Sequence, residues 1–526
     1  MYEKEENISD LSCLTEIKAR KNGDKIAILT DDRRVSYSEL NELASRFARG
    51  LRDLGVEKGD KVVVIFPNSI EFLYIWFGIM KIGAVAVPLN IALKGPLLSY
   101  QINDSDAKVA VVSKHVLPAY NEVKPSLNNI DYSITDGDAL DFIQIKELLN
   151  SKQLNDSEKV SPSDPATIMY TSGTTGEPKG VVLPHYAYVN TALMNAEIAE
   201  AREGDVFYST VPFFHTSGQL QIILPALIND LTAAFDAWFH VSNFWANVVN
   251  YRATVIFLIS SMINILLKNP EGEYDRRHKV RIAMTGGATK ETWALFEKRF
   301  GVKVLEGYGM TETCAIAIFN RGNLVRQGSV GKPLPYFEMI VADENDNELP
   351  PGKVGQLLIR PKKPFVMMLE YYKKPQETVT AWRNLWFHTG DLFYRDEDGF
   401  FYIVGRIKES IRRRGENISP YIVESVVNEH PAVLESAAVG VPSEVGDEDV
   451  KIYVKLKPGA RLDFLEFLGW CDKRLPYYMV PRYVEIVEEL PKTPTQRIQR
   501  YVLKARGVGN AFDGLKAGFK PSRPLI

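Results

Sequence analysis

Cysteine is scarce in this chain: Cys13, Cys314 and Cys471 are the only three in 526 residues. Their wide separation excludes a disulfide framework or a cysteine-rich metal knot and suits a reducing compartment, so a cytoplasmic protein is expected. Neither sign of charge dominates. Lys and Arg number 63 against 66 Asp and Glu, so no global field points to nucleic acid or to an anionic membrane. The longest apolar run, Phe72 to Leu93, is broken by Lys81, Gly83, Pro88 and Asn90, so it reads as a buried helix followed by a strand and no membrane span is expected. The opening Met-Tyr-Glu-Lys-Glu-Glu-Asn lacks the basic-then-apolar order of a secretory signal. Two familiar nucleotide signatures are also missing. The position five after Gly173 is Pro178 where a Walker A loop needs glycine before its lysine, and no G-x-G-x-x-G opens a helix.

Against these absences stands Tyr170-Thr-Ser-Gly-Thr-Thr-Gly-Glu-Pro-Lys-Gly180, directly after the apolar run Ala166 to Tyr170. Its glycines, Gly173 and Gly176 among them, let backbone N–H groups approach an anion. Thr171, Ser172, Thr174 and Thr175 offer hydroxyls, and Lys179 offers a point charge. The segment reads as a phosphate-handling loop for a nucleotide chemistry of another kind.

A chain of this length exceeds what one core usually supports, and at least two domains are expected. Short apolar strands alternate with helical patterns through the first two thirds: Lys61 to Phe66, Ala84 to Leu89, Ala107 to Ser113, Thr254 to Ile259, Arg281 to Thr285 and Val302 to Glu306, with helices over Glu71 to Ile82 and Lys290 to Phe300. Such alternation predicts an α/β fold of parallel-rich sheets covered by helices, with ligands beyond the carboxyl ends of strands. From Ser329 to Tyr402, turn-punctuated short strands predict a small antiparallel or β-barrel-like subdomain. The chain then restarts as a compact α+β unit with a helix over Tyr421 to Asn428 and a tail beyond Lys504 expected to be irregular.

The loops at strand ends carry the chemistry. Gly286-Gly287-Ala288 leaves room for a flat ring, and Tyr308 offers a face to a purine. Glu312 suits Mg²⁺, which takes one or two carboxylates together with substrate phosphates. Asp391, in Trp386-Phe-His-Thr-Gly-Asp391, suits vicinal ribose hydroxyls, and the fork of Arg406 suits ribose or phosphate oxygens. His215, in Pro212-Phe-Phe-His-Thr-Ser-Gly218, is a candidate for an acid-binding cleft.

Taken in order, Tyr170 to Gly180, Pro212 to Gly218, Glu306 to Glu312, Trp386 to Asp391, Gly405 to Pro420 and Pro491 to Arg500 resemble the core motifs of the adenylate-forming enzymes, among them acyl-CoA synthetases. The resemblance covers nearly the whole chain. It implies an N-terminal domain, residues 1–403, that binds ATP and a small carboxylic acid, a hinge at 404–408 that includes Lys408, and a mobile C-terminal domain, residues 409–526. The acid would attack the α-phosphate of ATP to give acyl-adenylate and pyrophosphate, and the thiol of CoA would then displace AMP. The loop Thr171 to Lys179 would hold the β and γ phosphates, Thr311 the α phosphate, and Glu312 with Thr171 the Mg²⁺. Tyr308, Gly286 to Ala288 and the strand end Glu306, Gly307, Gly309 and Met310 would frame adenine, and Asp391 and Arg406 would fix ribose. Gly415 would border the thiol path, and Arg412 to Arg414 would either meet CoA phosphates or form a solvated basic face. His215, Thr216, Gln219, Gly286 and Met310 would line the acyl pocket. No carboxylate follows His215 to hold an amino-acid ammonium, and no carrier-protein domain is seen, so CoA is the expected acceptor. The ending Thr493-Pro-Thr-Gln-Arg497 resembles that of carnitine or crotonobetaine CoA-ligase-like members, which points toward short polar or medium-sized acids.

One position departs from the family. Its C-terminal motif ends in Gly-Lys, where the lysine bridges carboxylate and phosphate during adenylation, and this sequence has Gln496-Arg497. A guanidinium keeps the charge but not the compact shape. The alternative is therefore a weakened protein that binds nucleotide or acyl-adenylate without turnover. If Arg497 replaces the lysine, Arg497→Ala lowers pyrophosphate release about a hundredfold, the value of one preorganised donor, and spares thioester formation from preformed acyl-adenylate. Equal damage to both steps rejects the assignment, and no damage to the first transfers it to Lys492 or Lys504.

Overall fold

A computed structural model describes the chain except residues 1–7, 172–177, 410, 414, 415, 419, 445–447, 476, 478, 493–497 and 522–526, and the side chains of residues 408, 412, 416 and 417. The described chain packs into two units, one of residues 1–338 with 360–385 and one of residues 339–359 with 386–526.

The first unit is built on two large sheets. One has eight strands. Its parallel centre runs through Lys61–Ile65, Val85–Pro88, Ala107–Val112 and Tyr132–Thr135. The first three are near-continuous Val, Ala and Ile runs, as strands buried on both faces must be. Pro165–Thr171 lies beside Val85–Pro88, and Lys179–Pro184 turns back antiparallel to it, so residues 172–178 join the two strands of a hairpin. Glu370–Tyr371 closes that edge, paired antiparallel with Val182 and Val181. The second sheet has nine strands, with Val206–Ser209, Val255–Ile259, Ile282–Gly286 and Lys303–Tyr308 in parallel.

Helix Ile70–Lys81 begins at Ser69, whose side chain accepts the Phe72 N–H, and every residue in it except Glu71 is buried. It leads into the Val85–Pro88 strand, so the Phe72 to Leu93 run is indeed a buried helix and strand. Gly78 is required there by close approach, because a Cβ would stand 3.0 Å from the Ala44 carbonyl oxygen of the neighbouring helix. No helix among the described residues is long and apolar enough to cross a membrane.

The second unit begins with a four-stranded sheet in the order Phe337–Ala342, Gly355–Pro361, Phe387–Arg395 and Phe401–Arg406, the last three strands pairing antiparallel. Beyond it, Val433–Pro442 pairs antiparallel with Glu448–Leu456, which pairs parallel with Tyr483–Ile486. Alternation buries both faces: Ala438, Val450 and Ile452 join one apolar cluster, and Ala437, Val439 and Tyr453 the other.

Two sequence expectations are corrected in this unit. The tail beyond Lys504 is not irregular throughout, because Phe512–Asp513 adds an edge strand to Tyr483–Ile486. Asp513 is held there by Arg482, whose guanidinium also pairs with Asp449. Arg413 belongs to no solvated or CoA-facing cluster. It is buried, pairs with Asp449 at 2.8 Å and donates to the Val480 carbonyl at 2.9 Å.

Candidate active site

The phosphate-loop residues Ser172, Gly173, Thr174, Thr175 and Gly176 lie outside the described residues, but both ends of the loop are tied down. Tyr170 donates its hydroxyl to Asp104 at 2.7 Å, and Tyr100 donates to the Pro178 carbonyl at 3.2 Å, both partners belonging to helix Gly95–Asp104. Thr171 and Lys179 face each other across the hairpin, where the Thr171 hydroxyl donates to the Lys179 carbonyl. On the far side the Tyr372 N–H donates to the Gly180 carbonyl at 2.7 Å.

Lys179 and Glu312 meet at one side chain that sequence reasoning did not single out. The ammonium of Lys179 stands 4.4 Å from the centroid of the Tyr371 ring. The Tyr371 hydroxyl donates to Glu312 Oε1 at 2.8 Å, and Glu312 is only 6% exposed. Burial with a carboxylate beside it pushes the Tyr371 phenol well above its usual range, so it stays a proton donor. Glu312 lies in a short turn, Thr311–Thr313, after strand Lys303–Tyr308, and its carbonyl accepts the Met368 N–H. Carboxylate and hydroxyl oxygens are hard donors suited to Mg²⁺, which shares its shell with phosphates and waters. Among the described residues no group of three or more His, Cys, Asp or Glu could hold a metal ion.

The Gly286–Ala288 loop is held by Glu306. Its carboxylate accepts the N–H groups of Gly287 and Ala288 at 2.5 and 3.0 Å, tying the ends of two neighbouring parallel strands. Glu306 thus positions the loop from beneath. Gly286 and Gly287 are exposed above it, and Gly287 has φ of +92°, a conformation that favours glycine. Tyr308 is half-buried and donates its hydroxyl to Met310. Gly309 answers a different need, since a Cβ there would stand 2.0 Å from the Ala315 carbonyl oxygen.

The His215 loop is fixed by three hydrogen bonds to two side chains. Asn68 donates to the Val211 carbonyl and accepts the Phe213 N–H. Gln219 donates to the Phe213 carbonyl at 2.6 Å and accepts from the Tyr188 hydroxyl, which in turn meets Thr167 on the phosphate-loop strand. Both polar ends of Gln219 therefore work inside the fold. It opens a π-helical turn, Gln219–Ile223, a distortion often found beside functional sites. His215 itself is half-buried, with its ring 4.7 Å from that of Phe214.

In the second unit, Asp391 and Arg406 are direct cross-strand partners, and Arg406 Nε lies 2.8 Å from Asp391 Oδ1. Gly415, Gln496 and Arg497 lie outside the described residues, and so does the Lys408 side chain. The ends of the Arg497 segment are described: Lys492 bridges Ile498, and the Gln499 N–H donates to the Pro491 carbonyl. Just beyond, Arg500 pairs with Glu409 at 2.9 Å and with Glu424 at 2.6 Å.

Residues 15–372 match the AMP-binding enzyme family, and residues 422–497 match the AMP-binding enzyme C-terminal domain. The chain is similar to the crotonobetaine/carnitine–CoA ligase of Escherichia fergusonii, 34% identical with 90% of this chain and 93% of that protein covered. To the same ligase of Salmonella typhimurium it is 33% identical, with 92% and 96% covered. Among solved structures it is similar to the anthranilate CoA ligase AuaEII in complex with anthranoyl-AMP (TM-score 0.87, 26% identity, 97% and 98% covered). It is also similar to ATP-bound MatB from Rhodopseudomonas palustris (TM-score 0.86, 28% identity, 94% and 98% covered).

Burial pushes the Glu306 carboxyl up to about 8, against the pull of its two N–H donors. An acid whose folded value lies above its unfolded one favours the native state at low pH, and that contribution is lost as pH rises from about 4.5 toward 8. Glu306→Gln removes this pH dependence. It also leaves one of the two N–H groups facing an amide NH₂, at a cost of about 1–3 kcal/mol. Urea unfolding of both proteins from pH 5 to 8 measures the two effects, and parallel curves would reject the role of Glu306.

Proposed function

This chain belongs to the AMP-binding enzyme family, and we propose that within it the protein activates a small, polar carboxylic acid, with Mg²⁺ as its metal. The reaction class is that of an AMP-forming acyl-CoA ligase. The acid's carboxylate attacks the α-phosphorus of ATP and expels pyrophosphate, and the sulfur of CoA then attacks the acyl carbon of the adenylate and expels AMP. The observation that carries the reading is the meeting of Lys179 and Glu312 at Tyr371, beside the feet of the phosphate loop.

Each residue has a task in that scheme. Lys179, Thr171 and the loop residues 172–176 neutralise the departing pyrophosphate, and Thr311 orients the α phosphate. Glu312, with Thr171, holds Mg²⁺, which when bound offsets phosphate charge. Gly286 to Ala288 and Tyr308 take the adenine, with Glu306 beneath the loop. From the second unit, Asp391 and Arg406 take the ribose, Arg497 the reacting carboxylate, and Gly415 the thiol path. The chemistry needs no covalent enzyme intermediate, so the rate rests on positioning and charge neutralisation. Preference for a polar acid is supported by the likeness to crotonobetaine/carnitine–CoA ligases, which at 33–34% identity exceeds that to the aromatic-acid ligases at 26%. The free thiols of Cys13, Cys314 and Cys471 support a cytoplasmic location.

The test is a panel of carboxylic acids varied in length, charge and aromaticity, scored for AMP and CoA thioester. Turnover that requires acid, ATP, Mg²⁺ and CoA, with short polar or betaine-type acids exceeding benzoate at least tenfold in kcat/KM, a margin within reach of a single pocket contact, supports the reading. ATP binding without turnover across the panel identifies a binding protein instead, and preference for aromatic acids overturns the substrate class.

A further inference from the structure

Tyr371 joins a cation and a carboxylate that the reaction uses on different parts of ATP. Its backbone position is set by the sheet: Glu370–Tyr371 pairs with Val182 and Val181, and the Tyr371 N–H donates to Thr378 Oγ1 at 2.9 Å. Because side chains two apart on a strand share a face, Lys179 and Val181 lie on the same side, and a residue opposite Val181 is a diagonal neighbour of Lys179. That register brings the ammonium 4.4 Å from the ring centroid. The hydroxyl end of the same ring reaches the buried Glu312 carboxylate at 2.8 Å. A phenol has few rotatable bonds, and this one is buried, so it fixes both partners at little cost in freedom.

The two contacts also reinforce each other electronically. An O–H that donates to an anion enriches the ring in electron density, and an enriched ring attracts a cation more strongly. Once the charge of Glu312 is taken up by a divalent cation, the ring's hold on the ammonium weakens.

Resting on the ligase reading above, we propose that Tyr371 is a positioning residue that couples the Glu312 carboxylate to the Lys179 ammonium. In the absence of a divalent cation, Lys179 is parked on the ring. When Glu312 is engaged, Lys179 is released toward the phosphates. Tyr371 touches neither reacting atom, and its effect runs through those two side chains.

The test uses the full chain without acid or CoA, titrating ATP calorimetrically in EDTA and at graded Mg²⁺. Tyr371→Phe keeps the ring but loses the hydrogen bond. It should raise the Mg²⁺ concentration of half-maximal effect on ATP affinity roughly tenfold, the value of one hydrogen bond to a charged group, and change ATP affinity in EDTA by less than Tyr371→Leu does, because the ring still holds the ammonium, though less strongly. Tyr371→Leu should show the same Mg²⁺ shift and in addition change ATP affinity in EDTA severalfold, because the parking surface is gone. Tyr372→Phe, which loses a hydroxyl bound to Asp106 instead, should leave the Mg²⁺ response unmoved. Thermal melts identify any variant that fails to fold, in which case Tyr371→Phe and Tyr372→Phe decide.

The coupling is overturned if Tyr371→Phe responds to Mg²⁺ as the wild type does, or if Tyr371→Phe and Tyr371→Leu weaken ATP equally with and without Mg²⁺. Failure of the ligase reading shows separately, as wild-type protein that binds Mg²⁺ and ATP but forms no AMP with any acid.

Discussion

Glu370–Tyr371 adds to the edge of the eight-stranded sheet by main-chain pairing with Val181 and Val182, roughly 190 residues earlier in the chain. That short ladder does more than cover an edge. It places Tyr371 against Lys179 and Glu312, aims the Tyr372 N–H at the Gly180 carbonyl, and lets the Leu369 N–H reach the Val182 carbonyl. The second strand of the phosphate hairpin is thereby gripped along its length, and the candidate metal carboxylate is held by a neutral phenol. A cation in that place would neutralise Glu312. A phenol leaves the carboxylate its charge.

The same economy governs the other loops at the strand ends. Each must leave some backbone groups free of the sheet ladders, and buried polar side chains satisfy them. Glu306 serves Gly287 and Ala288, Asn68 serves Val211 and Phe213, and Gln219 serves Phe213 again. Because removing one partner strands a buried donor or acceptor, each tie is worth about 1–3 kcal/mol to the loop's geometry. The chain Thr167, Tyr188, Gln219 and Phe213 runs without interruption from the phosphate-loop strand to the His215 loop. It gives the two loops a common rigid support.

How much of this the sequence discloses follows from which interactions are local. Strands such as Lys61–Ile65 and Ile282–Gly286 and helix Lys290–Phe300 are written in their own residues, by apolar runs, by Thr289 at the helix start and by Gly301 at its end. Motif residues in strand-end loops are legible for the same reason. Tyr371, Asn68 and Tyr100 are not, because their partners lie 59 or more positions away and no spacing within one segment announces them. Arg413 misled for a related reason. Three adjacent arginines look like one basic patch, but Arg413, on the strand Ile411–Arg413, turns inward to the buried Asp449 carboxylate, and no spacing within the segment announces that partner. The Phe512–Asp513 edge strand was hidden among glycines because it is held by Arg482, not by an apolar pattern.

The departure at Arg497 can be weighed against the other cations near it. Lys492 pairs with Glu435 at 2.8 Å, both side chains about one-third exposed or less, and it sits at the foot of the 493–497 segment on the bridge to Ile498. Lys504 pairs with Glu448 at 2.5 Å, and Arg500 is shared between Glu409 and Glu424. Recruiting any of these to a substrate carboxylate would first require separating it from a carboxylate of the protein. For Arg500 the loss is severe, because Glu424 is buried and also accepts the Ala438 N–H. For Lys504, which is half exposed, solvent screens the pair and its loss would be small. Lys504, however, lies within helix Arg500–Ala505, fixed by Tyr453 through the Leu503 carbonyl. Arg497 precedes that helix, in a segment closed at its base by the Pro491 to Gln499 hydrogen bond. Each of these described cations thus has a carboxylate partner of its own to give up, which keeps Arg497, whose guanidinium retains the family lysine's charge, as the proposed bridging cation.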